Sequence, residues 1–203
     1  MTNSSDDSFV NNAAIDRMAT DLIEERPDSV DALFSRAGYP PPIHLWRPEA
    51  TGNAPLDALL GLWTAAVSDG RVPLRRDIDP LSVPALIGQM SVLELVDGRD
   101  FRYRLMGTEV ARSLGQDWTG RTLGERSQTG GLLAMLLFAQ CRAVLTNRTV
   151  LYSCHAAMIG DTPPPQADRP WATSWERLAL PLRSSASPTP DLVLIARQLR
   201  VGR

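Results

Sequence analysis

Two cysteines, Cys141 and Cys154, and two histidines, His44 and His155, are the chain's only thiols and imidazoles. Their spacing matches no structural zinc pattern, so no metal site is expected. A flavin-reactive cysteine would need polar flavin contacts around it, whereas Gln140-Cys141-Arg142 lies in an apolar helical stretch. Both thiols read as buried apolar groups, with a redox pair as the sharper alternative. His155 falls on a strand position expected to face outward, and His44 on a loop. No Gly-x-Ser-x-Gly elbow accompanies either histidine, so no catalytic residue is assigned.

Arginine carries all of the positive charge. The 21 basic residues include no lysine, which removes the lysine of Walker-type phosphate loops, Schiff-base enzymes and kinases. Arg102, Arg104, Arg177 and Arg197 alternate with apolar strand residues and read as one solvated sheet face. A cluster of them would suit an acidic protein better than DNA. Asp77 and Asp79, around Arg75, Arg76 and Pro80, suit ion pairing and capping in an irregular crossing.

The elements that position these groups follow from periodicity. Ile15, Met18, Ala19, Leu22 and Ile23 recur at helical spacing until Pro27, and a short helix from Ser29 ends near Gly38. Tyr39 to Asn53 reads as an extended connector. Leu56, Leu59, Leu60, Trp63 and Val67 mark a helix with Pro55 in its first turn and Gly70 as its stop. Met90 to Val96 and Phe101 to Leu105 form a hairpin through Asp97-Gly98. Thr108 to Leu114 is a short helix, and Gly131 to Asn147 a long one with a wide apolar stripe. Strands follow over Val150 to Met158, Trp171 to Leu182 and Leu192 to Leu199. The inward set is expected to include Leu93, Leu95, Tyr103, Leu105, Tyr152, Leu180 and Leu194.

The 203 residues suit one domain with an extension. A net charge of −2 gives no footprint for nucleic acid. No apolar run is long enough for a membrane span, and the Ser, Asn and Asp-rich start is no secretory signal, so the cytoplasm is expected. Charge divides unevenly: the first 50 residues hold nine acids and four arginines. The boundary is placed at residue 52, with 1–52 an acidic extension, partly helical or mobile, and 53–203 the main domain.

Val72-Pro73-Leu74-Arg75-Arg76-Asp77-Ile78-Asp79-Pro80, Phe101-Arg102-Tyr103-Arg104-Leu105-Met106-Gly107-Thr108 and Gly115-Gln116-Asp117-Trp118-Thr119-Gly120 resemble, in order and spacing, a bacterial family of stand-alone PAS-like proteins common in alphaproteobacteria. Leu178 to Leu182 is similar to the family's fourth strand, and the likeness runs from about Leu56 to Arg200. The resemblance implies an α+β fold, a five-stranded antiparallel sheet of order 2-1-5-4-3 with helices on one face enclosing a small cavity. It implies sensing or signalling through another protein or a second copy of the chain, without a reaction. The Pro-rich Asp161 to Pro170 connection and the N-terminal extension lie outside the family pattern.

Placed on that fold, Tyr103, Leu105, Leu137, Cys141, Tyr152 and Cys154 are expected to line an apolar pocket whose polar handles are two tyrosine hydroxyls. A small apolar or amphipathic ligand would suit it, and no cofactor is specified. Two alternatives stand beside this: a ligand-free adaptor with a filled core, and a small cone-shaped α+β enzyme. The latter is disfavoured because the inward strand positions lack a carboxylate or imidazole.

Overall fold

A computed structural model describes residues 4–129, 131–156 and 173–201. The chain begins with helices α1 (Ser4–Ile23) and α2 (Asp28–Arg36), strand β1 (Ile43–Trp46) and helix α3 (Ala54–Ala66). Three short 3-10 turns, Arg75–Asp77, Pro80–Ser82 and Pro84–Gln89, lead into the hairpin β2 (Met90–Val96) and β3 (Asp100–Met106). Helices α4 (Thr108–Leu114), α5 (Leu123–Thr129) and α6 (Gly131–Asn147) follow, then β4 (Leu151–Ala156), β5 (Thr173–Leu182) and β6 (Leu192–Val201). The Pro-rich stretch 161–170, with Met158 and Trp171, lies outside the described residues.

Local chemistry sets several boundaries. Asn53 caps α3 by accepting from the Leu56 amide, and Asp79 does the same for Leu81 at the second 3-10 turn. At the hairpin, Asp97 and Gly98 both take positive φ, as a two-residue loop matching the strand twist requires. At Gly107 the requirement is space. A Cβ there would run into the Gly88 carbonyl and lie 2.7 Å from the Met90 carbonyl oxygen, which the Gly107 amide engages at the same distance.

All strand pairs are antiparallel, in the order β1-β4-β5-β6-β2-β3. Counting β2 to β6 as one to five, this is the expected 2-1-5-4-3 sheet with β1 added beside β4. That sixth strand lies in the stretch read as an extended connector. Pro40 to Pro42 mask it, although proline is tolerated at the start of an edge strand and Ile43-His44-Leu45-Trp46 alternates.

The sheet is covered on both faces, not one. On the first, α6 and α1 pack with Leu93, Phe101, Tyr103, Leu151, Ala179, Val193 and Ile195. On the second, Leu56, Leu59 and Leu60 of α3 and Ile78, Val83 and Leu86 of the 3-10 region cover Val92, Tyr152, Leu178, Leu180 and Leu194. The expected inward set therefore divides: Leu93, Leu95 and Tyr103 face α6, while Tyr152, Leu180 and Leu194 face α3.

The N-terminal segment is not a loosely attached arm in its described part. Ile15, Met18, Ala19, Leu22, Val30 and Phe34 are buried in the cluster built around α6. Asn147 donates to the Ile23 carbonyl at 2.8 Å, the Trp46 indole donates to that of Leu22 at 3.3 Å, and Arg142 pairs with Asp16. Asp16 and Asp21 border this apolar stripe and are engaged by Arg142 and the Ser29 amide, so net charge is a poor guide to docking.

Candidate functional site

The residues expected to line one pocket are separated by the sheet. Tyr103, Leu137 and Cys141 lie on the α6 side, Tyr152 and Cys154 on the α3 side. Alternation along β4 is as expected, but it is the Leu151, Ser153 and His155 face that lies under α6. Leu105 is moved by a bulge. Leu93 pairs with Tyr103 and Val92 with Leu105, so Arg104 is an extra residue and the parity of β3 reverses after it. Leu105 is 44% exposed at the rim of a small apolar depression with Ile78, Ile87, Val92 and Leu194.

The two thiols, free and buried, are on opposite faces and form no redox pair. Burial pushes Cys141 up to about 12 and raises Cys154 as well, so neither is a thiolate at neutral pH. Both histidines are buried, contrary to the expectation of an exposed His155 and a loop-borne His44. His44 is on β1, the strand missed in the connector. Among the described residues no group of three or more His, Cys, Asp or Glu is placed to hold a metal ion.

What the fold brings together instead is a polar row across the α6 face. Register places His44 opposite Ser153, Ser153 opposite Arg177 and Arg177 opposite Arg197, so these four side chains cross β1, β4, β5 and β6 in line. Arg177 Nη1 donates to Gln140 Oε1 at 2.6 Å, and the Gln140 amide donates to His44 Nε2 at 3.1 Å. His155 Nδ1 donates to the Ala156 carbonyl at 3.1 Å. Desolvation, reinforced by the Arg177 charge, pushes His44 down to about 4 and His155 to about 3, so both imidazoles are neutral near pH 7.

At the β6 end of this row lies a cavity of about 40 Å³, closed by Val110 and Leu114 of α4, Leu137 of α6 and Leu93 and Ile195 of the sheet. Its polar wall consists of Gln89, Ser91, Tyr103, Arg126, Arg177 and Arg197. Arg126 donates to the Tyr103 hydroxyl at 2.7 Å, and burial raises that phenol's pKa. Arg197 donates to the Glu109 carbonyl at 3.0 Å and to Ser113 Oγ, and its guanidinium lies 4.4 Å from the Trp175 ring centroid. Burial first, then repulsion from Arg126, pushes both Arg177 and Arg197 down to about 10. Arg197 Nε, Ser91 Oγ and Gln89 Oε1 are buried without a hydrogen-bond partner.

Of the six residues expected at a pocket, Tyr103 and Leu137 line this one. Strand alternation alone assigns Arg177 and Arg197 to a solvated face, because it treats one sheet face as outward. Leu192-Val193-Leu194-Ile195-Ala196 is the signal against that reading, since a continuous apolar run marks a strand buried on both sides. Of the other two arginines in that set, Arg104 is exposed and pairs with Glu94 at 2.7 Å, and Arg102 bridges to Thr122 at the sheet edge.

A PAS domain family model matches residues 52–157, somewhat more than half of the chain. The chain belongs to the PAS domain family. The match starts at Gly52, one residue before the Asn53 cap of α3, and takes in the hairpin, α4 to α6 and β4, while β5 and β6 complete the PAS sheet beyond it. No curated protein and no solved structure matches the chain. No helix among the described residues is long and apolar enough to cross a membrane.

Proposed function

We propose that this PAS protein is a ligand-responsive regulator whose chamber is the cavity between α4, α6 and the sheet, and that it acts by contact with a partner protein or a second copy of itself. PAS membership carries a sensory or regulatory role. The observation that supports a ligand is the chamber wall: three buried polar atoms lack partners there, a deficit a packed structural core avoids. The chamber differs from the apolar pocket expected from sequence, and so does its ligand.

The reading is non-enzymatic. Each imidazole is held neutral and makes one structural bond, to Gln140 or to the Ala156 carbonyl, and neither thiol is ionised. A cytoplasmic setting belongs to the same reading, because two free buried thiols suit a reducing compartment.

The test is a thermal-shift panel of small neutral and charged metabolites, with amide hydrogen exchange on any hit. A compound that raises the melting temperature should protect α4 and α6, and should lose its effect in a folded Leu114→Trp variant that fills the chamber. If no compound of either class stabilises the protein, the ligand-free adaptor takes its place.

A further inference from the structure

Arg177 and Arg197 are direct cross-strand neighbours, and their side chains lie on the same face beneath α4 and α6. Like charges placed opposite one another on a sheet repel, and their partial burial reduces the screening by water. Their partners within the described residues are neutral: Gln140 for Arg177; the Glu109 carbonyl, Ser113 and the Trp175 ring for Arg197. These contacts satisfy some N–H groups; Glu109, already paired with Arg112, attracts Arg197 from a distance, and no carboxylate among the described residues forms an ion pair with either arginine.

The cavity sits where compensation would go. Arg197 Nε has no acceptor, Ser91 Oγ is idle, and the Gln89 amide can turn its NH₂ inward at no cost in hydrogen bonds because its oxygen is unpartnered. Arg126 adds a third guanidinium to the wall. A space of about 40 Å³ exceeds what one water needs and matches a group of a few heavy atoms. Water would satisfy the orphaned atoms without offsetting the charge, and a cation would be repelled.

We propose that this chamber binds a small oxyanion, a carboxylate or phosphate group of a few heavy atoms, held by the Arg177 and Arg197 guanidinium groups and Ser91. The inference rests on the reading of the cavity as a ligand chamber and names the ligand class. Arginine's planar fork matches paired oxygens, which favours an oxyanion over a spherical halide. Anion binding would also draw both guanidiniums back up from the depressed values that burial and the Arg126 charge impose.

The full chain, in a bulky sulfonate buffer at constant ionic strength, is titrated with sodium formate, acetate, phosphate or chloride. Melting temperature and the arginine Nε–H NMR signals are followed. Saturable stabilisation by formate, acetate or phosphate is expected, with the Arg197 Nε–H signal shifting along the same curve. Arg197→Gln should weaken binding by about tenfold or more, the worth of a charge-assisted hydrogen bond. Arg197→Lys, which keeps the charge and loses the fork, should recover only part. If either variant fails to fold, the wild-type NMR titration decides alone. Equal stabilisation by all four salts, a response to chloride only, or an unmoved Arg197 signal overturns the proposal. A neutral compound that binds while no anion does also overturns it, and leaves the ligand chamber standing.

Discussion

Arg177 on β5 and Arg197 on β6 face each other across the sheet, two half-buried arginines on one face whose hydrogen-bond partners are neutral. Leu178 and Ala196, their neighbours on these strands, also pair with each other and are fully buried on the opposite face. Both faces of the sheet are therefore covered in this region, and charge placed on either is at least partly enclosed. The α3 face is apolar around Leu178 and Leu180 and, among the described residues, carries its buried charge in Glu176 alone, already bonded to Asn53 and Tyr152, whereas the α6 face lines up polar groups in one row ending at a cavity. That asymmetry is what a chamber for a charged ligand requires.

Gly107 should tolerate no side chain. A Cβ there must displace the Gly88 and Met90 carbonyls that seat the start of α4 on the preceding turn. Gly107→Ala is expected to cost about 1 to 3 kcal/mol, like other overpacked core sites. Gly61→Ala is the control: the space around Gly61 in α3 is open, so stability should rise by roughly 0.5 to 1 kcal/mol. Urea unfolding of both variants checks the pair, and a neutral Gly107→Ala would mean that the close approach is relieved by a small shift.

Glu176 couples the start of the matched domain to the sheet. Its buried carboxylate accepts from Asn53 Nδ2 at 2.5 Å and the Tyr152 hydroxyl at 2.9 Å, and pairs with Arg200 at 3.3 Å. Asn53→Ala removes both the α3 cap and one of these donors, so its cost should exceed the roughly 1 kcal/mol of an ordinary cap. Asn53→Ser keeps a cap without the reach to Glu176, and should fall between Ala and wild type. Equal stability of the Ser variant and wild type would show that the Glu176 contact contributes nothing.

The legible parts of the fold were those where local chemistry is sufficient. Asp97-Gly98 specifies a hairpin in any context, and the apolar stripe of Gly131–Asn147 specifies a helix over that same range. Faces were less legible, because alternation says which residues share a side and not which side meets which helix. Alternation groups Tyr152 with Cys154, and the structure puts that pair on the α3 side and not under α6. Leu105 required knowledge of the Arg104 bulge, a property of strand pairing that β3 alone does not carry. The chamber is illegible in the sequence for a related reason: arginines alternating with leucines look solvated unless both faces are known to be covered.

Leu22 is fully buried between α1 and the rest of the α6-side cluster, so Leu22→Asp should lower stability by several kcal/mol through an unpaired buried charge. Proteolysis that trims α1 should likewise leave a destabilised remainder. A truncated chain melting with the intact protein would restore the picture of a dispensable arm.

Acid should destabilise the protein before its carboxylates titrate. In the unfolded chain both histidines protonate near 6.5. In the folded protein burial and the Arg177 charge hold His44 down to about 4 and His155 to about 3. Above pH 6.5 both states are neutral at these sites and their contribution to stability is fully present. Below it the unfolded state takes up protons that the folded state refuses, so stability falls with pH until about 4 for His44 and about 3 for His155. Each histidine gives a slope of about 1.4 kcal/mol per pH unit within its window. Most carboxylates titrate below about 4.5, which leaves pH 4.5 to 6 as the range where the histidines dominate. His44→Gln retains an acceptor for the Gln140 amide and should remove one histidine's share of the slope, and His155→Gln the other. Urea midpoints measured every half unit through that range check this, and an unchanged slope in the double variant would show that the acid sensitivity comes from other groups.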